Sequence, residues 1–328
     1  MTPPPGTSPI PRAEQGLRRL ELEVFRRLDG LLQGDHLGLV PAPGSELGES
    51  REYRAGDDVR RIDWPVTART TVPHVRDTIA DRELEAWVVV DRSASLDFGT
   101  AACEKRDVAL AAVAAVAFLT SRVGNRIGAV LLESSGTQVI PARAGRDATF
   151  AMLNRVVASP RADESPHPGA SGADAFDGLA TALRQVGRLA RRRGLVVVVS
   201  DFLTREEWVR PLRALVARHD VLAIEVLDPR ELELPPVGLV TFVDTETGRR
   251  LEVQTASERV RDRFAAAAAA QRADIARSIV NVGAEHLVLR TDRDWLLDIV
   301  RYVDLRRRRR AGRSIPRRGA ATTVTVPS

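Results

Sequence analysis

In the stretch VVVDRSASLDFG, residues 88–99, one carboxylate and two hydroxyls, Asp91, Ser93 and Ser95, stand at alternate positions directly after a run of valines. In extended backbone the side chains at i, i+2 and i+4 share a side, so the three oxygens can converge on one point. One charged and two neutral oxygens suit a hard cation such as Mg²⁺ or Mn²⁺, which takes about six oxygen ligands and keeps several of its waters. A second carboxylate stands in the same relation to a second valine run: GLVVVVSDF, residues 194–202, carries Asp201 just past its last valine. Taken singly, each motif also fits a helix cap, because Asp and Ser oxygens after a strand commonly accept from the first N–H groups of a helix. It is the pair that points to a metal.

Other chemistries find less in the chain. The single cysteine, Cys103, excludes an internal disulfide and a cysteine-built zinc site. The five histidines, His36, His74, His167, His219 and His286, have no helical metal-ligand spacing among them. There is one lysine, Lys105, and it follows Cys-Glu, so the Gly-Lys-Ser/Thr of a phosphate-binding loop is ruled out. Neither a Gly-x-Ser-x-Gly elbow nor a His-Glu-x-x-His motif occurs.

The elements that must position Asp91 and Asp201 can be read from periodicity. After a proline-rich leader, residues 1–12, the segment AEQGLRRLELEVFRRLDGLLQG repeats Leu17, Leu20, Val24, Leu28 and Leu31 at helical spacing. A loop-rich stretch follows to about residue 80. From residue 84 short apolar runs alternate with longer helical ones: EAWVVVD as a strand, Lys105 to Arg122 as a helix, RIGAVLLES as a strand, and TQVIPARAG as an edge strand because of Pro141. The pattern continues through helix 146–157, a polar loop, helix GLATALRQVGRLARRR, strand GLVVVVSDF, helix REEWVRPLRALVARH and strand DVLAIEVLD. A hairpin around TFVDTETGRRLEV, a long alanine-rich helix over 256–281, strand EHLVLRT and helix DWLLDIVRYVDLRR complete it.

Strands alternating with helices predict an α/β fold with a doubly wound, mostly parallel sheet, carrying an N-terminal helical and loop extension and a small β-hairpin insertion. In such a sheet ligands bind beyond the C-terminal ends of the strands, near the point where strand order reverses. Both aspartates are expected there. The organisation is a leader at 1–12, a helix and charged segment at 13–80, the α/β domain at 81–305 and an arginine-rich tail at 306–328.

The net charge of +5 is local, since residues 306–328 hold eight arginines and no acids and the body is mildly acidic. Such a tail is expected to be disordered, and it offers non-specific attraction to nucleic acid or another polyanion. The longest apolar run, VALAAVAAVAFL at residues 108–119, is shorter than the roughly 18–20 residues of a membrane-spanning helix. MTPPPGTSPIPR lacks the apolar core of a secretory signal. A cytoplasmic location is expected.

The order strand–DRSAS–helix followed by VVVVSDF resembles the metal-ion-dependent adhesion site of von Willebrand factor type A domains. Together with REYRAGDDVRRIDW, residues 51–64, and LELPPVGLVTFVDTETGRRLEV, it identifies the chain as similar, over roughly residues 35–305, to the bacterial family called domain of unknown function 58. The resemblance implies a metal bound by Asp91, Ser93, Ser95 and Asp201, together with a threonine from a further loop. Here that threonine position reads Asp177-Gly178-Leu179, and Asp177 is the candidate replacement. The resemblance also implies a non-catalytic interaction module whose partner is a MoxR-type AAA+ ATPase, with no small-molecule substrate. The charged run REYRAGDDVRRIDW fits an ion-pair network clamped by Tyr53, Ile62 and Trp64; a partner-recognition surface presenting Asp57, Asp58 and Arg60 is the other reading. Two alternatives stand beside the module: nucleic-acid binding through the tail, and a Mg²⁺-dependent phosphatase of the haloacid-dehalogenase type. The phosphatase pattern resembles Asp-x-Asp with a later lysine, whereas this chain has Ser93 at the second position and Lys105 close behind in sequence.

Overall fold

The computed structural model describes residues 50–53, 59, 62–76, 84–121, 124–133, 136–159, 178–204, 206–243 and 250–313, with helical residues at 16, 18–23 and 26. Asp57, Asp58, Arg60 and Asp177 lie outside the described residues, as does everything beyond Arg313.

The sheet begins with β3 (Glu85–Asp91), after a small antiparallel pair, β1 (Ser50–Glu52) and β2 (His74–Arg76), that brackets the short helix α1 (Trp64–Thr70). Then come α2 (Lys105–Ser121), β4 (Arg126–Glu133), β5 (Gly136–Arg143), α3 (Arg146–Ala158), α4 (Gly178–Leu189), β6 (Leu195–Ser200), α5 (Val209–Val216) and β7 (Asp220–Leu227). The hairpin β8 (Leu239–Val243) and β9 (Arg250–Gln254), the long helix α6 (Glu258–Asn281), β10 (Glu285–Arg290) and α7 (Trp295–Arg313) follow.

Six strands form one sheet in the order β10-β7-β6-β3-β4-β5. All pairs are parallel except β4–β5, which places the proline-containing β5 antiparallel on the edge. The central strands are buried throughout because both faces are covered. Ala86, Val88 and Val90 of β3 face α2, α3 and α7, while Trp87 and Val89 face α4, α5 and α6. That double covering explains why EAWVVVD and LVVVVS read as continuous apolar runs. The chain leaves β3 toward β4 on one side and returns to β6 on the other, so strand order reverses between β3 and β6. These are the two strands that end at Asp91 and Ser200.

Several boundaries differ from the sequence expectation. The helix after β6 opens with a 3₁₀ turn at Glu206–Trp208 and becomes α-helical only at Val209. Helix α4 ends at Leu189, short of the arginine run 191–193. At the C-terminus the tail expected from Arg306 begins as helix: α7 continues to Arg313. Arg306 is buried and ion-paired to Glu285 at 3.1 Å and Asp220 at 3.6 Å, and Arg308 pairs with Asp304 one turn back at 2.9 Å. Arginine is a good helix former, and acids at the right spacing offset the repulsion of the run. In the charged segment, Tyr53 and Ile62 are half-buried as expected of anchors, but Trp64 is 68% exposed.

Candidate metal centre

Because β3 and β6 are neighbours in register through Val90 and Val199, the residues that follow are brought side by side at the C-terminal edge of the sheet. Asp91 is fully buried. Its Oδ2 accepts from Ser200 Oγ at 2.6 Å and its Oδ1 from the Ser93 amide at 2.9 Å. Ser93 and Ser95 are half-buried with their hydroxyl oxygens 3.0 Å apart, and Ser95 is among the groups that favour the ionised Asp201 carboxylate. Asp201, 1% exposed, accepts the Leu203 amide on Oδ1 at 3.1 Å. The four described residues expected to share a site therefore lie together, the two carboxylates buried and the two serines half-buried.

Lys105, at the start of α2, also enters this site. Its side chain is 0% exposed, and its Nζ lies 2.8 Å from Asp201 Oδ2 and 2.6 Å from Glu231 Oε1. Proximity along the chain had set this lysine aside, but the fold folds α2 back beneath the sheet edge and delivers its first residue to Asp201. Glu231, Arg272 and Ser200 were likewise not expected. The Arg272 guanidinium donates through Nη1 to the Asp201 carbonyl and to Glu225 Oε1, both at 3.0 Å, and its Nη2 lies 3.5 Å from Glu231 Oε2. His286 Nε2 lies 2.8 Å from Glu225 Oε2. Acids and bases thus alternate from Asp201 through Lys105, Glu231, Arg272 and Glu225 to His286.

A further buried acid braces the loops around the centre. Asp228, at the end of β7, accepts on Oδ2 from the Thr100 amide and the Thr291 hydroxyl, both at 2.8 Å, and on Oδ1 from the Arg230 amide at 2.9 Å and the Thr100 hydroxyl at 2.5 Å. It ties the loop after β3 to those after β7 and β10.

The electrostatics separate the two site carboxylates. Burial, and then the neighbouring charge of Asp201, push the Asp91 carboxyl above the usual range, against the hydrogen bonds from Ser200 and Ser93. Burial acts in the same direction on Asp201, but the Lys105 ammonium outweighs it and holds that carboxyl below the usual range. Burial would depress Lys105, yet Asp201 and Glu231 hold its ammonium charged beyond the ordinary lysine value.

Among the described residues, no three of His, Cys, Asp and Glu converge as a metal-ligating cluster. What converges is two carboxylates and two hydroxyls, an all-oxygen set whose chemistry fits a hard cation. A cation beside Asp91 would also relieve the charge repulsion that raises its carboxyl.

The architecture is that of an α/β protein with a cluster of oxygen-bearing side chains at the switch point of a doubly wound sheet. A family model described as "Protein of unknown function DUF58" matches residues 49–274, and the chain belongs to that family. It is 57% identical over 300 residues to the uncharacterized protein Rv1480 of Mycobacterium tuberculosis (strain ATCC 25618 / H37Rv), covering 91% of each chain. It is 51% identical over 169 residues to the uncharacterized protein MAV169 of Mycobacterium avium, covering 52% of this chain and 94% of that one. Among solved structures, it is similar to an aerotolerance-related membrane protein of Bacteroides fragilis (TM-score 0.44, 12% identity, 68% of this chain and 97% of the other). It is also similar to a von Willebrand factor type A protein of Catenulispora acidiphila (TM-score 0.37, 13% identity, 71% and 43%). No helix among the described residues is long and apolar enough to cross a membrane.

Proposed function

We propose that the protein is a non-catalytic interaction module that binds Mg²⁺ or Mn²⁺ through Asp91, Ser93, Ser95 and Asp201, with Asp177 as a further oxygen. The cation presents an open position to a carboxylate on a partner protein. By resemblance within the family, that partner is a MoxR-type AAA+ ATPase, met in the cytoplasm, and the module acts as its adaptor in assembling a client complex. The observation that carries this reading is the convergence of four oxygen-bearing side chains from two non-adjacent segments at the strand-order reversal.

Lys105 does reach the site, as the phosphatase alternative requires of its lysine. Against that alternative stands Ser93, a hydroxyl at the position where the Asp-x-Asp pattern places its second carboxylate, so no acid stands there to protonate a leaving group.

The test is capture of a MoxR-type AAA+ ATPase on the purified protein in Mg²⁺ and in EDTA, with Asp91→Ala as control. Retention in Mg²⁺ that is lost in EDTA and in the variant supports the module. Retention indifferent to both overturns it and moves attention to the REYRAGDDVRRIDW surface and the arginine-rich C-terminus.

A further inference from the structure

Of the chain's 49 basic residues, 48 are arginine and one is lysine. That one sits fully buried between Asp201 and Glu231. An ammonium is a compact point charge, whereas a guanidinium is a flat fork. Lys105 therefore offers Asp201 what a metal ion would offer, a small positive centre at hydrogen-bonding distance. Glu231 is fixed independently: its Oε2 accepts the Asp228 amide at 3.0 Å, closing a capping box in which Asp228 is itself held by four donors. The ammonium thus has a second, anchored carboxylate to rest on when Asp201 turns to another cation.

We propose that Lys105 is the built-in competitor of the metal centre: a divalent ion takes Asp201 only as the ammonium transfers its pairing to Glu231. The inference rests on the metal reading above and goes beyond it by assigning the residue that sets the metal affinity. The resident charge keeps that affinity low, so occupancy follows the ambient concentration of the divalent ion instead of being permanent. Two substitutions then act in opposite senses. Lys105→Met removes the competitor and the repulsion between two cations, and Glu231→Gln removes the ammonium's alternative partner and leaves it on Asp201.

The experiment is direct titration of the full chain with Mn²⁺, read as free Mn²⁺ by electron paramagnetic resonance, and with Mg²⁺ by calorimetry, on wild type, Lys105→Met, Glu231→Gln and Asp91→Ala. Charges of this size a few ångströms apart change affinity by at least about tenfold even at high effective dielectric. The expected result is binding at least about tenfold tighter in Lys105→Met, weaker in Glu231→Gln and absent in Asp91→Ala. Binding in wild type that Lys105→Met leaves unchanged or weakens overturns the competitor role while the metal reading stands. No binding in wild type and none in Lys105→Met overturns both. Should Lys105→Met not fold, Glu231→Gln decides: weaker binding supports the proposal, and equal or tighter binding refutes it.

Discussion

Asparagine at position 228 would keep the shape of the brace and break its logic. The carboxylate accepts two donors on each oxygen, and on each side one of the two is a backbone N–H: Thr100 on Oδ2 and Arg230 on Oδ1. The hydroxyls of Thr100 and Thr291 can rotate to accept from an amide NH₂, but a backbone N–H cannot. Whichever way the asparagine turns, one buried amide is left facing a donor. Leaving a buried donor unsatisfied costs about 1–3 kcal/mol, and turning the remaining charge-assisted bonds into neutral ones removes roughly 1 kcal/mol each. The expected loss for Asp228→Asn is therefore about 3–5 kcal/mol, a large part of the 5–15 kcal/mol typical of a folded domain. Urea unfolding of both proteins at pH 7 measures it. Acid supplies the second arm. Burial opposes ionisation of Asp228, but the hydrogen bonds from Thr100, Arg230 and Thr291 outweigh it and hold the carboxyl below its ordinary value. A lowered folded-state value contributes stability that is complete above the unfolded value of roughly 3.9 and is lost as pH falls through the folded one. The gap between wild type and variant should be full at pH 6–7 and narrow below about pH 4. A gap under about 1 kcal/mol at pH 7, or one that acid leaves unchanged, would refute the reasoning.

Lys105→Met without added metal strands the buried Asp201 charge and should destabilise by about 3–5 kcal/mol, whereas Lys105→Met with Asp201→Asn should cost clearly less than the sum of the single changes; additive losses in a double-mutant cycle would contradict the pairing. Glycine substitutions separate two environments. A Cβ on Gly194 would collide with the Glu85 carbonyl oxygen, so Gly194→Ala should cost about 1–3 kcal/mol as the starts of β3 and β6 shift. On Gly187, within α4, a Cβ would meet only Leu215 Cδ2 at 3.6 Å, and Gly187→Ala should stabilise by up to about 1 kcal/mol in the same unfolding assay.

What was legible in the sequence was whatever depends on order along the chain. Valine runs mark strands covered on both faces, Pro141 marks an edge, and a polar oxygen just past such a strand must lie on the C-terminal edge of the sheet. Those signals located Asp91, Ser93, Ser95 and Asp201 together. The helical arginines of α7 were not legible, because a run of like charge reads as a solvated tail until Asp220 and Glu285 arrive from β7 and β10 to pair with Arg306. Trp64 differs for the opposite reason: an aromatic among charges reads as an anchor, yet its side chain is mostly exposed.

Lys105 is the instructive case, because its signal lies in composition and not in spacing. Its partners lie 96 and 126 residues away, so spacing carries no information about them. Composition does. A chain that uses arginine everywhere else has kept one lysine, at the first residue of a buried helix that begins soon after the DRSAS loop. A buried cation must be paired, and on the C-terminal edge of this sheet the nearest acids are those of the oxygen-lined centre. The pairing of Lys105 with Asp201 follows from burial and topology taken together, and motif spacing carries no trace of it.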